Sequence, residues 1–302
     1  MKIIEKLWRV QDAAKQCLSF EYYPPKEKKR WPAFFEKVKR MSRLEPEFID
    51  VTWGTGDPTS LDSLEVSQMI QRLTKIDTMM HLTCTHRSKD ELYKILKVVR
   101  DSEMDNIMAL RGNRPDNRAW EAPANGFSSA AELVDFIRDA FKGHFCISVA
   151  AYPEGHRDCG TAADPNYYAT DAYRRELEYL KQKVDAGADF VVTQLCFDME
   201  RLRQFGEDCR DVGINVPIVA GILPIHSLAV YRKIASFSAS IPQQIQEEVA
   251  ALKQDQIEDY AVDLLLRQLE ELRGYGFFAV HLYTLNFEKI IKRTVALRGR
   301  YT

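Results

Sequence analysis

Eight short runs rich in β-branched and aromatic residues recur along the chain, each followed by a longer charged stretch. They are "CLSFEYY" (17–23), "FIDVTW" (48–53), "MMHLTCT" (79–85), "NIMALRG" (106–112), "FCISVAAYP" (145–153), "FVVTQLCF" (190–197), "PIVAGILPI" (217–225) and "FFAVHLYTL" (277–285). Runs of this length and composition read as strands. The stretches between them, such as "WPAFFEKVKRMSRL", "SKDELYKILKVVRDSE", "SSAAELVDFIRDAF" and "AYRRELEYLKQKVDAGA", carry helical spacing. Ser88 with Glu91, and Ser128, are positioned as helix caps. Strict alternation of strand and helix implies parallel strands joined by crossover helices. Eight such units in 302 residues fit a closed α/β (βα)8 TIM barrel better than an open sheet. The expected organisation is one domain over 1–302, with an N-terminal helix in "MKIIEKLWRVQDAAKQ" and no C-terminal regulatory domain. Ile241 to Tyr275 has room for two helices before the last strand.

In such barrels the chemistry sits at the carboxyl ends of the strands. Those ends carry Glu21, Thr52, Thr83 and Thr85, Arg111 to Asn113, Tyr152 with Glu154 and His156, Gln194, Pro224, and Tyr283 to Asn286. The amino ends show no comparable set, which favours an enzyme or small-molecule binder. Glu21 is the sharpest of these positions. A carboxylate inside an apolar run must be paired, pointed into water, or kept for chemistry.

Other classes are excluded or disfavoured. The net charge of −2 and pI near 6.3 give no general nucleic-acid or membrane-surface binder. There is no HExxH, GxSxG, P-loop or GxGxxG, and no metal-ligand spacing, so no metal is expected. The six cysteines form no CxxC pair and read as reduced, mostly buried thiols. No signal peptide or membrane span is visible, and the expected location is cytoplasmic. The expected assembly is a homo-oligomer, a dimer favoured.

The strand ends "LSFEYYPPKE", "VTWGTG", "HLTCT", "NIMALRG", "AAYPEGH", "LKQKVDAGADFVVTQLCFD", "VAGILPI" and "HLYTLN" together resemble the methylenetetrahydrofolate reductase family. The order holds from about Leu18 to Glu288, and the form is that of the plant and fungal catalytic barrel. The resemblance implies FAD on the barrel rim, NADPH or NADH as hydride donor, and reduction of 5,10-methylenetetrahydrofolate to 5-methyltetrahydrofolate by a ping-pong route. It assigns Glu21 as the general acid. It assigns Thr52, Trp53, His81, Arg111, Gly112, Asn113, Ser129, Ala130, Tyr152, His156, Glu176 and Lys183 to the cofactor. Gln194, Asn113 and Tyr283 fall to the folate. Read without the resemblance, His81 is a core histidine, Gln194 a strand-end cap and Lys183 a solvated charge.

Two positions depart from the family pattern. Asn113 stands where an aspartate is usual, and Phe287 where an arginine is usual, with Lys289 the nearest basic substitute. No residue reads a 2′-phosphate, so NADH and NADPH stay open. A related flavin barrel acting on another one-carbon donor or in the oxidative direction, and a non-catalytic homologue, are the competing readings.

Overall fold

The computed structural model describes residues 1–53, 57–112, 122–156, 167–235 and 241–298. Eight parallel strands close into one barrel in the order of the chain. They are β1 (Cys17–Tyr22), β2 (Ile49–Val51), β3 (Thr78–Thr83), β4 (Asn106–Leu110), β5 (Cys146–Ala151), β6 (Phe190–Thr193), β7 (Ile218–Ile222) and β8 (Ala279–Tyr283). Cys17 to Glu21 of β1 pair with Ala279 to Tyr283 of β8, which seals the cylinder. The α-helices described are α1 (Ile3–Asp12), α2 (Trp31–Ser42), α3 (Asp57–Thr74), α4 (Lys89–Asp101), α5 (Ala130–Phe141), α6 (Asp171–Asp185), α7 (Met199–Asp211), α8 (Leu228–Ala235), α9 (Gln243–Ala250), α10 (Ile257–Gly274) and α11 (Lys289–Arg298). The two helices expected between Ile241 and Tyr275 are α9 and α10.

Alternation along each strand sorts the side chains into two layers. Leu18, Phe20 and Tyr22 of β1, with Ile49 and Val51 of β2, face outward and pack with Phe34, Val38 and Met41 of α2. Ile107, Val149 and Val191 do the same on the far side, against Leu133, Ile137 and Leu180. The other parity faces the lumen. Its lower level is a dry plug of Phe48, Met79, Met108, Cys146, Phe190, Val219 and Ala279, packed with Ile3 and Leu7 of α1. The Ile3 backbone N–H donates to Asn106 Oδ1 at 2.8 Å, and Lys6 Nζ lies 2.8 Å from Asp77 Oδ2. These bonds hold α1 across the amino-terminal end of the barrel. Emptying the plug by Phe48→Ala would cost about 3–5 kcal/mol.

The sequence overestimates several strands at their carboxyl ends. β6 stops at Thr193 and β7 at Ile222, although apolar residues continue in both. Leu195, Phe197, Leu223 and Ile225 leave the sheet and join a separate apolar cluster with Ile234, Ile245 and Val249. Their hydrophobicity serves that packing, not the barrel. Ser88 is the cap of α4, its Oγ accepting from Glu91 N and the Glu91 carboxylate accepting from Ser88 N. The α5 cap is Ser129 and not Ser128. Ser129 Oγ accepts from Glu132 N, while Ser128 bonds the Glu132 carboxylate from one residue outside. The five described cysteines, Cys17, Cys84, Cys146, Cys196 and Cys209, are free thiols, four of them buried. No described helix is long and apolar enough to cross a membrane.

Candidate active site at the barrel mouth

The site begins at Glu21, near the end of β1. Lumen parity turns its side chain inward, where it is 3 % exposed. Among the described residues its Oε2 has no hydrogen-bond partner. Burial pushes its pKa up from 4.5 to about 7; the positive influence of His81 opposes this and the charge of Asp50 adds to it. The Tyr23 phenol hydrogen-bonds the carboxyl and pulls slightly the other way. Desolvation is the largest influence, and among the described residues the group's hydrogen-bond partner is a neutral phenol. A carboxyl titrating near neutrality is suited to give up a proton during a reaction.

Beside it lies a polar cluster of which the sequence reading singled out His81 alone. Asp50 of β2 is fully buried. Its Oδ2 accepts from His81 Nε2 at 3.2 Å and lies 3.6 Å from His281 Nε2. His281 Nδ1 is 2.8 Å from Ser19 Oγ, and the His281 ring stacks on Phe48 at an interplanar angle of 11°. Burial holds His281 down to about 4, and hence neutral. For His81 burial pulls the same way, but the Asp50 hydrogen bond and charge outweigh it and the pKa rises. Ser19, Glu21, Asp50, His81 and His281 share the lumen parity of their strands. That alternation was the sequence signal for Asp50 and His281.

Two further sectors frame the mouth. On one side, Thr85 Oγ1 donates to Arg111 O at 2.6 Å and the Cys84 thiol to the same carbonyl at 3.4 Å. Gly112 follows with φ +95°, and a Cβ there would collide with Thr85 Oγ1. Glycine is required there because Thr83 and Thr85 fill the space a Cβ would take, and the cap residue Ser129 is close by through Cys84. Thr52 N–H donates to Tyr22 O at the end of β2, and the Arg87 guanidinium lies 5.8 Å over the Trp53 ring. On the other side, Lys183 Nζ donates to Ala150 O at 2.9 Å and lies 5.7 Å from the Tyr152 ring, which meets His156 edge-on at 4.7 Å. Glu176, two turns before Lys183 on α6, is buried.

Gln194 is exposed at the end of β6, its Oε1 accepting from Leu195 N at 3.0 Å. Tyr283 donates its phenol to Thr193 O at 2.7 Å, and its ring lies over Gly221, where a Cβ would come 2.7 Å from Cε2. Gly221, like Asp50 and His281, is a residue the sequence reading missed. Asn286, at φ +60°, accepts from Tyr23 N at 3.0 Å and donates to Tyr23 O at 2.8 Å, tying the loops after β1 and β8 together. Phe287 is 53 % exposed and stacks on His226, ring centroids 4.1 Å apart. Lys289 pairs with Glu258 at 2.5 Å. Asn113 lies outside the described residues. Among the described residues no group of three His, Cys, Asp or Glu side chains could hold a metal.

A closed (βα)8 barrel with a near-neutral carboxyl at its mouth, ringed by aromatic, amide and basic groups, defines a barrel of the small-molecule, acid–base kind. The chain belongs to the methylenetetrahydrofolate reductase family, whose model matches residues 6–298. It is 37 % identical over 96 % of its length to the probable methylenetetrahydrofolate reductase (NADH) of Oryza sativa subsp. japonica, covering 49 % of that protein. Methylenetetrahydrofolate reductase 1 of Schizosaccharomyces pombe is 34 % identical over 99 % of this chain and 48 % of its own length. The probable methylenetetrahydrofolate reductase (NADPH) of Caenorhabditis elegans is 33 % identical over 98 % of this chain and 44 % of its own. The chain thus spans about half the length of these relatives. Among solved structures, a Clostridium thermocellum protein described as binding two copies of 5-methyl-5,6,7,8-tetrahydrofolic acid shares the fold, with TM-score 0.64 at 14 % identity over 98 % of both chains.

Proposed function

We propose that this barrel reduces 5,10-methylenetetrahydrofolate to 5-methyltetrahydrofolate with electrons from NADH or NADPH, using FAD held at its mouth. The observation that carries this reading is Glu21. It is a buried carboxyl with an unpartnered oxygen and a pKa near 7, in a chain of this family. The methylene bridge resists hydride until its five-membered ring opens, and opening needs a proton on the departing nitrogen. Glu21 is the donor of that proton, and the resulting iminium is the hydride acceptor.

The mouth also suits the cofactor. Gly112, at φ +95° and packed against Thr85, fixes the turn that follows Arg111, and Arg111 and Lys183 are the cations suited to a pyrophosphate. Thr52, Trp53, His81, Ser129, Ala130, Tyr152, His156 and Glu176 complete the proposed FAD set. Ser129 would contribute through its backbone, because its hydroxyl is spent on the α5 cap. Bound FAD would supply the two-electron relay between nicotinamide and folate. Gln194 offers both a donor and an acceptor to a pterin edge once its amide swings off Leu195 N. Tyr283 has its proton committed to Thr193 O and would act as a ring face. The free thiols agree with a reducing, cytosolic setting.

The test is a pair of anaerobic half-reactions. The purified protein should carry a flavin spectrum that NADH or NADPH bleaches and methylenetetrahydrofolate restores. A colourless protein that binds no added FAD would overturn the reading. A flavin that is bleached but not restored by this folate would point to another acceptor.

A further inference from the structure

Asp50 is fully buried at the centre of the lumen, and a carboxylate there needs a positive partner. Among the described residues its side-chain contacts are two imidazoles, His81 at 3.2 Å and His281 at 3.6 Å. His281 is a poor cation. It is 1 % exposed, lies flat on Phe48 and is bonded to Ser19 at its other nitrogen. His81 is closer to Asp50, within hydrogen-bond range, and stands higher in the lumen at 8 % exposure.

We infer that Asp50 is a positioning residue that keeps His81 an imidazolium, with Nε2–H on Asp50 and Nδ1–H free to serve the mouth. The proton belongs on His81 because the alternatives leave a buried carboxylate uncompensated or charge the more enclosed ring. With both ring nitrogens protonated and Nε2–H committed to Asp50, Nδ1 is left as a donor only. The arrangement places a fixed positive N–H donor beside the buried Glu21 carboxyl. It fits a ligand atom that is electron-rich and gains negative charge, such as the carbonyl or ring nitrogen of a heterocycle being reduced. Only the identity of that ligand rests on the proposed folate-reducing function.

Among the described residues the titratable groups around His81 are few. β1 brings Glu21, β2 brings Asp50, and β8 brings His281 and Tyr283. β4 is paired to β3 with Met108 opposite His81, and it brings no titratable side chain at that level. Asp50 is therefore the group whose loss should be felt first.

The experiment is an NMR titration of the full chain labelled with ¹⁵N-histidine, without added ligand, with His81 assigned by His81→Gln. Both ring nitrogens of His81 should read as protonated at pH 7. In Asp50→Asn its midpoint should move down and the neutral ring should dominate at pH 7, and Asp50→Glu should restore part of the shift. A neutral His81 in the unaltered protein overturns the inference whether or not the variants fold. An unmoved midpoint in folded Asp50→Asn overturns it as well. None of these readouts depends on turnover, so a failure here is distinct from a failure of the proposed reaction. In FAD-loaded protein, the same Asp50→Asn change should lower the flavin midpoint potential, and an unchanged potential would show that the imidazolium does not face the cofactor.

Discussion

Glu21 and Asp50 stand opposite one another across the β1–β2 pair, Cα against Cα, with both carboxyls turned into the lumen. Two neighbouring carboxylates disfavour each other's ionisation, and their surroundings then divide the labour. Asp50 has imidazoles to bond; Glu21 has a phenol and an empty oxygen. Of the two, burial raises the pKa of Glu21 and suits it to hold a proton.

Glu21→Gln is expected to leave FAD bound and flavin bleaching by NADH or NADPH largely intact, because only the folate half needs the proton. General acid catalysis typically contributes about 10²–10⁴-fold, and folate-dependent reoxidation should slow by at least that order. Stopped-flow measurement of the two halves decides it. Equal slowing of both would make Glu21 a structural residue.

The same substitution should change how stability depends on pH. The folded protein keeps a proton on Glu21 up to about pH 7, whereas an unfolded chain releases it near 4.5. Its folded pKa is raised, so the favourable contribution is complete below about pH 4.5 and is lost as pH rises through about 7. Glu21→Gln carries no such loss. It should be more stable than the unaltered protein at pH 8 by about 3 kcal/mol, with the gap closing near pH 4.5. Urea midpoints at the two pH values test this, and a gap of equal size at both would contradict it.

Gln194→Ala should weaken folate binding by a hydrogen bond's worth, about 0.5–1.5 kcal/mol, or more if a buried partner is stranded. Flavin content should not change. A variant that loses flavin and keeps its folate affinity would place Gln194 in the cofactor site.

At Gly112 the φ of +95° and the collision with Thr85 combine against any larger residue. Gly112→Ala should cost about 1–3 kcal/mol and displace the turn after Arg111, lowering FAD occupancy. Calorimetry and the flavin-to-protein absorbance ratio measure both effects. Full occupancy with unchanged stability would mean that the turn lies away from the ligand.

Asn286→Ala removes both hydrogen bonds to the Tyr23 backbone. The expected loss is about 1–3 kcal/mol, with faster hydrogen exchange at the Tyr23 amide. Exchange unchanged at that amide would show that the two loops are held by other contacts.

All eight strands and the closed barrel were legible in the sequence, because runs such as "CLSFEYY" and "NIMALRG" are bounded by helical spacing on both sides. Strand ends were less legible. Phe197 and Ile225 are as apolar as strand residues, but they belong to the α8–α10 cluster, and composition does not distinguish the two destinations. The rim residues were legible as strand-end polar groups, and the burial of Glu21 followed from its apolar flanks. Asp50 and His281 were not recognised, although each sits between apolar residues in the same way. What joins them is register across β1, β2, β3 and β8, and register is fixed by barrel closure and not by any one strand. Gly221 was silent for a similar reason, since its meaning lies in the Tyr283 ring on the neighbouring strand.

The apolar plug beneath these groups makes the barrel a vessel with one opening. Among the described residues, Phe48, Met79, Phe190 and their neighbours, with Ile3 and Leu7 of α1, fill the lumen beneath these groups with apolar side chains. If Glu21 is the proton donor proposed above, each proton it gives away would return through the mouth. A ligand seated there would stand between the acid and the solvent, so recharging from solvent would fall to the interval when the mouth is open.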